Sequence, residues 1–390
     1  MIKIKGVKFA GIYCGIKKNE KKDLALALFD KPAISTGVFT KNRVKAPSVV
    51  ITKKRINNPI KALIVVSGNA CVCVKGDYED AKSITNSLAN YLNIEEKSIV
   101  HSATGVIGVK LPVEKVKNGI PELLKNLKDD YEDFAEAITT TDAFKKVEEL
   151  TISINDGRIN ILGIAKGAGM IAPDLATMLV YIFTDAKIDK TTLDKALKEA
   201  VECSFNSISV DGDTSTNDMV LLFSTGMAKN KEITLKEGYN AFLGALKNVC
   251  ISLAKKIIKD GEGATKLIEI IVKNAKSQRD AKKIAKTVAN SPLVKTAFFG
   301  CDPNWGRIMA AIGRAGIPIN KEKIDIDIQG KPVVRKGLEA NNFNEATLKK
   351  ELADEEIKLE IDLHSGNAST KFYTSDLTLD YVKLNSSYRT

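Results

Sequence analysis

Histidine is nearly missing from this chain: His101 and His364 are the two in 390 residues. Neither stands in a nucleophile-elbow context, so a Ser-His-Asp or Cys-His relay has little to work with. Acyl chemistry here would need a base other than imidazole, and a free amino-terminal amine is one such base. Apolar runs are short as well. No stretch approaches the roughly 20 uninterrupted apolar residues of a membrane span. The amino terminus, MIKIKGVKFAGIYCGIKK, alternates like a strand and lacks the apolar centre of a signal peptide. A cytoplasmic protein is expected. The six cysteines, Cys14, Cys71, Cys73, Cys203, Cys250 and Cys301, form no CxxC repeat, which speaks against a disulfide scaffold and a zinc site. Cys71 and Cys73 are expected as buried apolar residues on one face of a strand. Aromatics are 6%, with one Trp, and no aromatic-basic stripe suited to stacking bases is present.

Positive charge is abundant instead. The net charge is +11 and the pI near 9.1, which brings up a lysine-rich nucleic-acid-binding protein as one reading. Only eight of the 59 basic residues are arginine, and the lysines alternate with acids, as in LKKELADEEIKLEID. Lys/Glu enrichment of this kind is reported for proteins from hot environments. A solvated surface that draws in small anionic substrates fits better than a nucleic-acid or membrane partner. With 44% hydrophobic residues the chain can bury a sizeable core, in one large domain or in two or three ordinary ones.

Periodicity predicts strands over DLALALF, SVVIT and ALIVVSG, then a helix over Asp80–Leu92 with Ala81, Ile84, Leu88 and Tyr91 on one face. Residues 113–138 read as two helical pieces, and Asp156-Gly157 marks a hairpin whose second strand runs to Lys166. Residues after Thr177 read as a buried strand. Helices are expected near 190–203, 235–259 and 278–290, strands at 219–224 and 267–273, and a second hairpin in KIDIDIQG–KPVVRKG. EIKLEIDLHSG alternates, and LTLDYVKLN reads as a closing strand. Hairpins mixed with long helices favour an α/β or layered α+β architecture over a doubly wound one.

The chemistry concentrates in KGAGMIAPDLATML, residues 166–179. A small residue, Ala176, precedes a hydroxyl, Thr177, at the start of an apolar run. Such a chain can cut itself: Thr177 attacks the preceding carbonyl, and the amine it exposes becomes its own base. Gly167, Gly169 and Ala172 also fit a dinucleotide fingerprint, but the segment after Pro173 is too short and β-branched for the crossover helix. Asp211, Asp213 and Asp218 suggest a cation loop. They miss the EF-hand spacing, so a polar turn lining a site is preferred. Thr104-Gly105 is expected in a turn that could stabilise an oxyanion. Asp260-Gly-Glu-Gly263 reads as a helix stop in which Glu262 matters if a cation is near. In CDPNWGRI, Asp302 is the expected N-cap with Pro303 at the first helical position.

Together GVFTKNRVKAPSV, HSATGVIG, TTTDAFKK, KGAGMIAPDLATML, VDGDTSTND, DGEGATK, CDPNWGRI and DYVKLNSSYRT give the chain its likeness. In order and spacing it resembles the ornithine acetyltransferases, or glutamate N-acetyltransferases, of arginine biosynthesis, from about residue 6 to Thr390. The resemblance implies sheets sandwiched by helices, with an α fragment 1–176 and a β fragment 177–390 sharing one core and assembling as two of each. Residues from about 280 to 390 would form a smaller second domain. It implies self-cleavage between Ala176 and Thr177, and acetyl transfer from N2-acetylornithine to glutamate through Thr177, without a cofactor or metal. Thr104 and Gly105 would supply the oxyanion hole, and Thr140, Lys166, Thr177, Glu262, Asn385 and Thr390 the substrate contacts. Glu262 could also tune the Thr177 amine. An additional acetyl-coenzyme A-dependent amino-acid N-acetyltransferase activity is left open, since no motif here decides it. The same chemistry with water as acceptor would give an amino-terminal-nucleophile hydrolase or aminopeptidase.

Overall fold

One long strand, Leu24–Phe39, organises the larger of two sheets. The computed structural model describes residues 1–154, 157–172 and 178–387. Near its start, Leu24–Phe39 pairs on one side with Val7–Ile12 and on the other with Ile60–Asn69. Its last six residues pair with Met219–Ser224. The full order is Ile99–Val106, Ile60–Asn69, Leu24–Phe39, Met219–Ser224, Leu179–Thr184, Gly157–Lys166 and Lys146–Ile154. Two contacts are parallel, Ile60–Asn69 with Ile99–Val106 and Leu179–Thr184 with Met219–Ser224. Every residue of the last two strands is buried. That is why both read as unbroken apolar runs: sheet strands covered on both faces have no solvent side to keep polar.

Helices Lys190–Glu202 and Tyr239–Lys259 cover one face of this sheet, with Leu193, Leu197, Phe242, Leu246 and Leu253 in the layer between. On the other face lie the helix Glu132–Ala137 and an aromatic group. Phe9 meets Phe183 edge-on at 5.0 Å, Phe183 stacks on Phe223 at 5.5 Å, and Phe134 meets Tyr181 at 5.7 Å. Edge and offset contacts of this kind add to the area they bury. Residues from before position 173 and after position 177 thus fill both apolar layers of this sheet together, as the family resemblance implies.

The smaller sheet runs Leu338–Glu339, Lys331–Arg335, Asp325–Ile328, Glu356–Asp362, Leu267–Ala275, Ala368–Ser375 and Ile208–Ser209. The helix Gln278–Ala289 packs on it through Ala281, Ile284, Ala285 and Val288, and Ser277 caps that helix by accepting the Asp280 N–H at 3.1 Å.

Local readings fail where tertiary packing outweighs propensity. SVVIT is not a strand but lies in the helix Pro47–Arg55, with Pro47 in its first turn. Val49, Ile51 and Thr52 are buried, and the Thr52 hydroxyl both accepts the His101 N–H at 2.8 Å and donates to the His101 carbonyl at 2.6 Å. The closing segment is also helical, Leu379–Ser387. The Thr378 hydroxyl accepts the Tyr381 N–H at 3.2 Å, the hydrogen bond of an N-cap. Cys71 and Cys73 are not on a strand. Both have left-handed backbone (φ 49° and 62°), and Cys71 is buried while Cys73 is exposed. Tyr91 lies on the exposed side of its helix. Asn304, not Asp302, caps the helix Trp305–Gly313, because its side chain accepts the Arg307 N–H.

His101 is fully buried, its Nδ1 is 3.3 Å from the Ile64 carbonyl, and its Nε2 has no partner among the described residues. Burial pushes its pKa down to about 4; the Ile64 carbonyl opposes this and Arg55 adds to it. The unfolded imidazole takes its proton near pH 6.5. Its neutral burial therefore stabilises the fold fully above that pH, and the contribution is lost as pH falls from about 6.5 through 4. The loss should be on the order of 3 kcal/mol. Urea midpoints measured from pH 7 down to 4 should show it, and His101→Leu should flatten that slope. An equally steep slope in the variant would place the titrating group elsewhere.

Candidate active site

The site begins where the strand Gly157–Lys166 ends. Lys166 pairs across the sheet with Leu179, and Leu179 with Met219. The Lys166 side chain is almost fully buried, with Nζ 3.3 Å from the Thr104 hydroxyl. A lysine there needs compensating charge, and Asp142 provides it. The Asp142 carboxylate accepts the Gly167 N–H at 2.7 Å, the Thr140 N–H at 2.8 Å and Lys146 Nζ at 2.6 Å. Lys146 also binds Asp260, which in turn accepts the Ala143 N–H at 3.1 Å. Burial by itself would raise the Asp142 pKa, but Lys166, Lys146 and the Gly167 N–H outweigh it and hold the carboxyl down at about 2. Burial lowers the pKa of Lys166, opposed by Asp142, Asp218 and Glu262.

Glu262 follows the helix Tyr239–Lys259, and its N–H donates to the Ala168 carbonyl at 2.9 Å. Its carboxylate lies against Gly169 so closely that a Cβ at 169 would overlap it, so the second glycine of KGAG serves close approach. Asn385, on the terminal helix, donates from Nδ2 to Glu262 Oε2 at 3.1 Å.

Beside these groups lies a cavity of about 660 Å³. Thr104, Gly105, Thr140, Lys166, Glu262 and Asn385 all face it. Ala176, Thr177 and Thr390 lie outside the described residues. Thr104 and Gly105 belong to the strand Ile99–Val106 and not to a turn, because the pairing with Ile60–Asn69 continues past them with a register slip at Asn69. Gly105 has φ 131°, and a Cβ there would collide with the Gly68–Asn69 backbone. Residues 167–172 are irregular and the description resumes at Met178, just ahead of the strand Leu179–Thr184, so among the described residues no crossover helix follows the dinucleotide pattern.

Asp211 also lines the cavity, as the preferred polar-turn reading requires. It accepts the Met170 N–H at 2.6 Å and the Asp213 N–H at 3.1 Å, and burial pushes it up to about 6 against those two bonds. Among the described residues no His, Cys, Asp and Glu cluster could hold a metal. Sequence reasoning overlooked Asp142 and Lys146, and also Lys17, Asn69 and Asn217, which line the cavity. The Asp142/Lys146 spacing suggests a helical pair, yet the bond forms across an irregular segment. Asn217 Nδ2 donates to the Ala70 and Ala103 carbonyls, each at 2.8 Å, contacts that no local pattern announces.

A charged, largely buried cleft at the end of a helix-covered sheet is the architecture of an enzyme that takes in a small polar molecule. The chain belongs to the ArgJ family, whose family model matches residues 8–390. It is 43% identical over 99% of its length to the arginine biosynthesis bifunctional protein ArgJ of Geobacter sulfurreducens, all of which is covered. It is 45% identical to the protein of that name from Caldanaerobacter subterraneus subsp. tengcongensis, over 99% of this chain and 97% of that one. The crystal structure of arginine biosynthesis bifunctional protein argJ from Bacillus halodurans is 42% identical, with a TM-score of 0.52, and the match covers 54% of this chain and 98% of that one.

Replacing Asp142 by Asn keeps its shape and removes the charge that Lys146 and Lys166 share. Breaking a buried pair by neutralising one partner should destabilise the fold by about 3 kcal/mol. Urea unfolding at pH 7 checks this; an unchanged midpoint would show that Asp142 does not compensate the two lysines.

Proposed function

We propose that this chain is a glutamate N-acetyltransferase of arginine biosynthesis that cuts itself between Ala176 and Thr177 and then carries acetyl on Thr177. In the first stage the Thr177 hydroxyl adds to the Ala176 carbonyl, Thr104 and Gly105 receive the oxyanion, and water releases the ester. The products are fragments 1–176 and 177–390. In the second stage the freed Thr177 amine takes the hydroxyl proton as Oγ attacks the acetyl carbonyl of N2-acetylornithine. Ornithine leaves with that proton, and the amine of glutamate then takes the acetyl group from the ester. One ester joins the two half-reactions, so no coenzyme is needed between them. Lys166 pairs with the substrate carboxylate and Glu262 with its ammonium, while Thr140, Asn385 and Thr390 complete the contacts.

The observation that carries this reading is convergence. Thr104, Gly105, Thr140, Lys166, Glu262 and Asn385 come from five separate segments and meet in one cavity. Leu179, two residues after Thr177, is paired with Lys166. The solved Bacillus halodurans chain is matched almost whole by 54% of this one. The fragment 177–390 would hold 214 of 390 residues, nearly the same share. We further infer that two copies of each fragment assemble in the cytoplasm. The relatives are named bifunctional, and acetyl-coenzyme A is the second donor to assay.

Intact mass spectrometry of the purified protein should give two species, the larger beginning at Thr177. Thr177→Ala should leave one uncut chain with transfer from acetylornithine to glutamate reduced to background. Transfer by the uncut variant would overturn the mechanism. Acetate release without glutamate, at the rate seen with it, would assign a hydrolase instead.

A further inference from the structure

Lys17 is a second half-buried lysine on the cavity, and the mechanism above leaves it unused. It lies in the loop between the strands Val7–Ile12 and Leu24–Phe39, and one fully buried carboxylate fixes that loop. Asp23 accepts the Cys14 and Ile16 N–H groups, each at 2.7 Å, and the Lys17 N–H at 3.0 Å. Both of its oxygens are thus bound by backbone. The Lys17 stem passes over Gly68, where an added Cβ would come within 3.0 Å of its Cγ. Gly68 stands opposite Gly105 in the sheet, and the neighbouring Thr104 hydroxyl is the one that meets Lys166 Nζ. The register therefore brings Lys17 to the same end of the cavity as Lys166.

The Lys17 ammonium donates to the Lys22 carbonyl at 2.5 Å and to the Ala137 carbonyl at 3.3 Å. An ammonium has a third N–H. That one finds no acceptor, and Lys17 forms no ion pair, among the described residues. The other lysines of this wall differ, because Lys18 is exposed and Lys110 is paired with Asp80 at 2.5 Å. Burial lowers the Lys17 pKa to about 8; Asp23 and Asp142 oppose this and Lys166 adds to it. Acidic groups gather instead around Gly169 and Met170, where Glu262 lies against the glycine and Asp211 accepts the Met170 N–H.

We propose that Lys17 determines acceptor specificity: its free N–H binds the side-chain carboxylate of a dicarboxylic amino acid while Lys166 binds the other carboxylate. The inference rests on the acetyl-transfer reading above and assigns the group that tells acceptor from donor. Acetylornithine has one carboxylate and a cationic side chain, which suits the acidic groups near Gly169 and gains nothing from Lys17. Glutamate has two carboxylates, and two ammonium groups on one cavity match them. No bond is made or broken at Lys17.

The test measures kcat/KM for each substrate in the purified wild type and in Lys17→Met, which keeps the stem and removes the charge. When one ester links two half-reactions, kcat/KM for each substrate reports its own half. Lys17→Met should lose at least about tenfold for glutamate, mostly through KM, and stay within about twofold for acetylornithine. The preference for glutamate over glutamine, whose side chain is neutral, should shrink by the same factor. If Lys17→Met fails to fold, Lys17→Gln takes the same measurements. An unchanged preference for glutamate over glutamine would overturn the proposal. Equal losses for glutamate and acetylornithine would overturn it too, since they mark a residue that only holds its loop. A wild type that transfers no acetyl from acetylornithine to glutamate would instead refute the transfer reading, and the Lys17 assignment would fall with it.

Discussion

Everything around the cavity depends on keeping charges buried in balance. Lys146 and Lys166 are both out of water, and each would be costly alone. Asp142 satisfies them together while accepting two backbone N–H groups, so one carboxylate fixes the Thr140 segment, the turn after Lys166 and the ion pair to Asp260. Asp260 ends the long helix that leads to Glu262. The positions of Thr140, Lys166 and Glu262 are therefore consequences of one electrostatic requirement. Hydrophobic replacements of buried ion pairs often pack as stably, but they cannot present an ammonium and a carboxylate to the same cleft.

The larger sheet explains how a chain could be cut here and remain one body. The strand Leu179–Thr184 lies inside the sheet, bonded to Gly157–Lys166 on one side and Met219–Ser224 on the other. The aromatic contacts of Phe9, Phe29 and Phe134 with Phe183, Tyr181 and Phe223 cross the same boundary. Two fragments divided at 176 would share hydrogen-bond ladders and a core, and neither would have a complete apolar layer by itself.

The sequence made the repeating parts legible. Alternation and unbroken apolar runs identify Met219–Ser224 and Leu267–Ala275, and the amphipathic period identifies Gln278–Ala289. It misled where a contact made far along the chain decides the outcome. Ser48–Thr52 has β-branched residues suited to a strand, but the bonds between Thr52 and His101 belong to a helix packed on another strand. The terminal segment alternates enough to suggest a strand, while its Thr378 cap is a short polar signal that hydropathy ignores. Site residues were legible when they belonged to a motif, as with Thr104 or Glu262. Asp142 and Lys17 were not, because their importance lies in partners distant in sequence and in their enclosure.

The unfavourable features gather in one place. Met170 has positive φ, Lys166 is held in low dielectric, Asp211 is pushed towards neutrality, and Asp218 keeps an oxygen unsatisfied among the described residues. Each lies on or beside the cavity, and each costs stability that the two helix-covered faces of the sheet must offset. That distribution has a chemical logic in a chain nearly without histidine. On the mechanism we propose, a site lacking imidazole must have its donors, acceptors and charges in place before a hydroxyl can attack a carbonyl, and fixed groups of that kind exist only where surrounding structure holds them against their own preference.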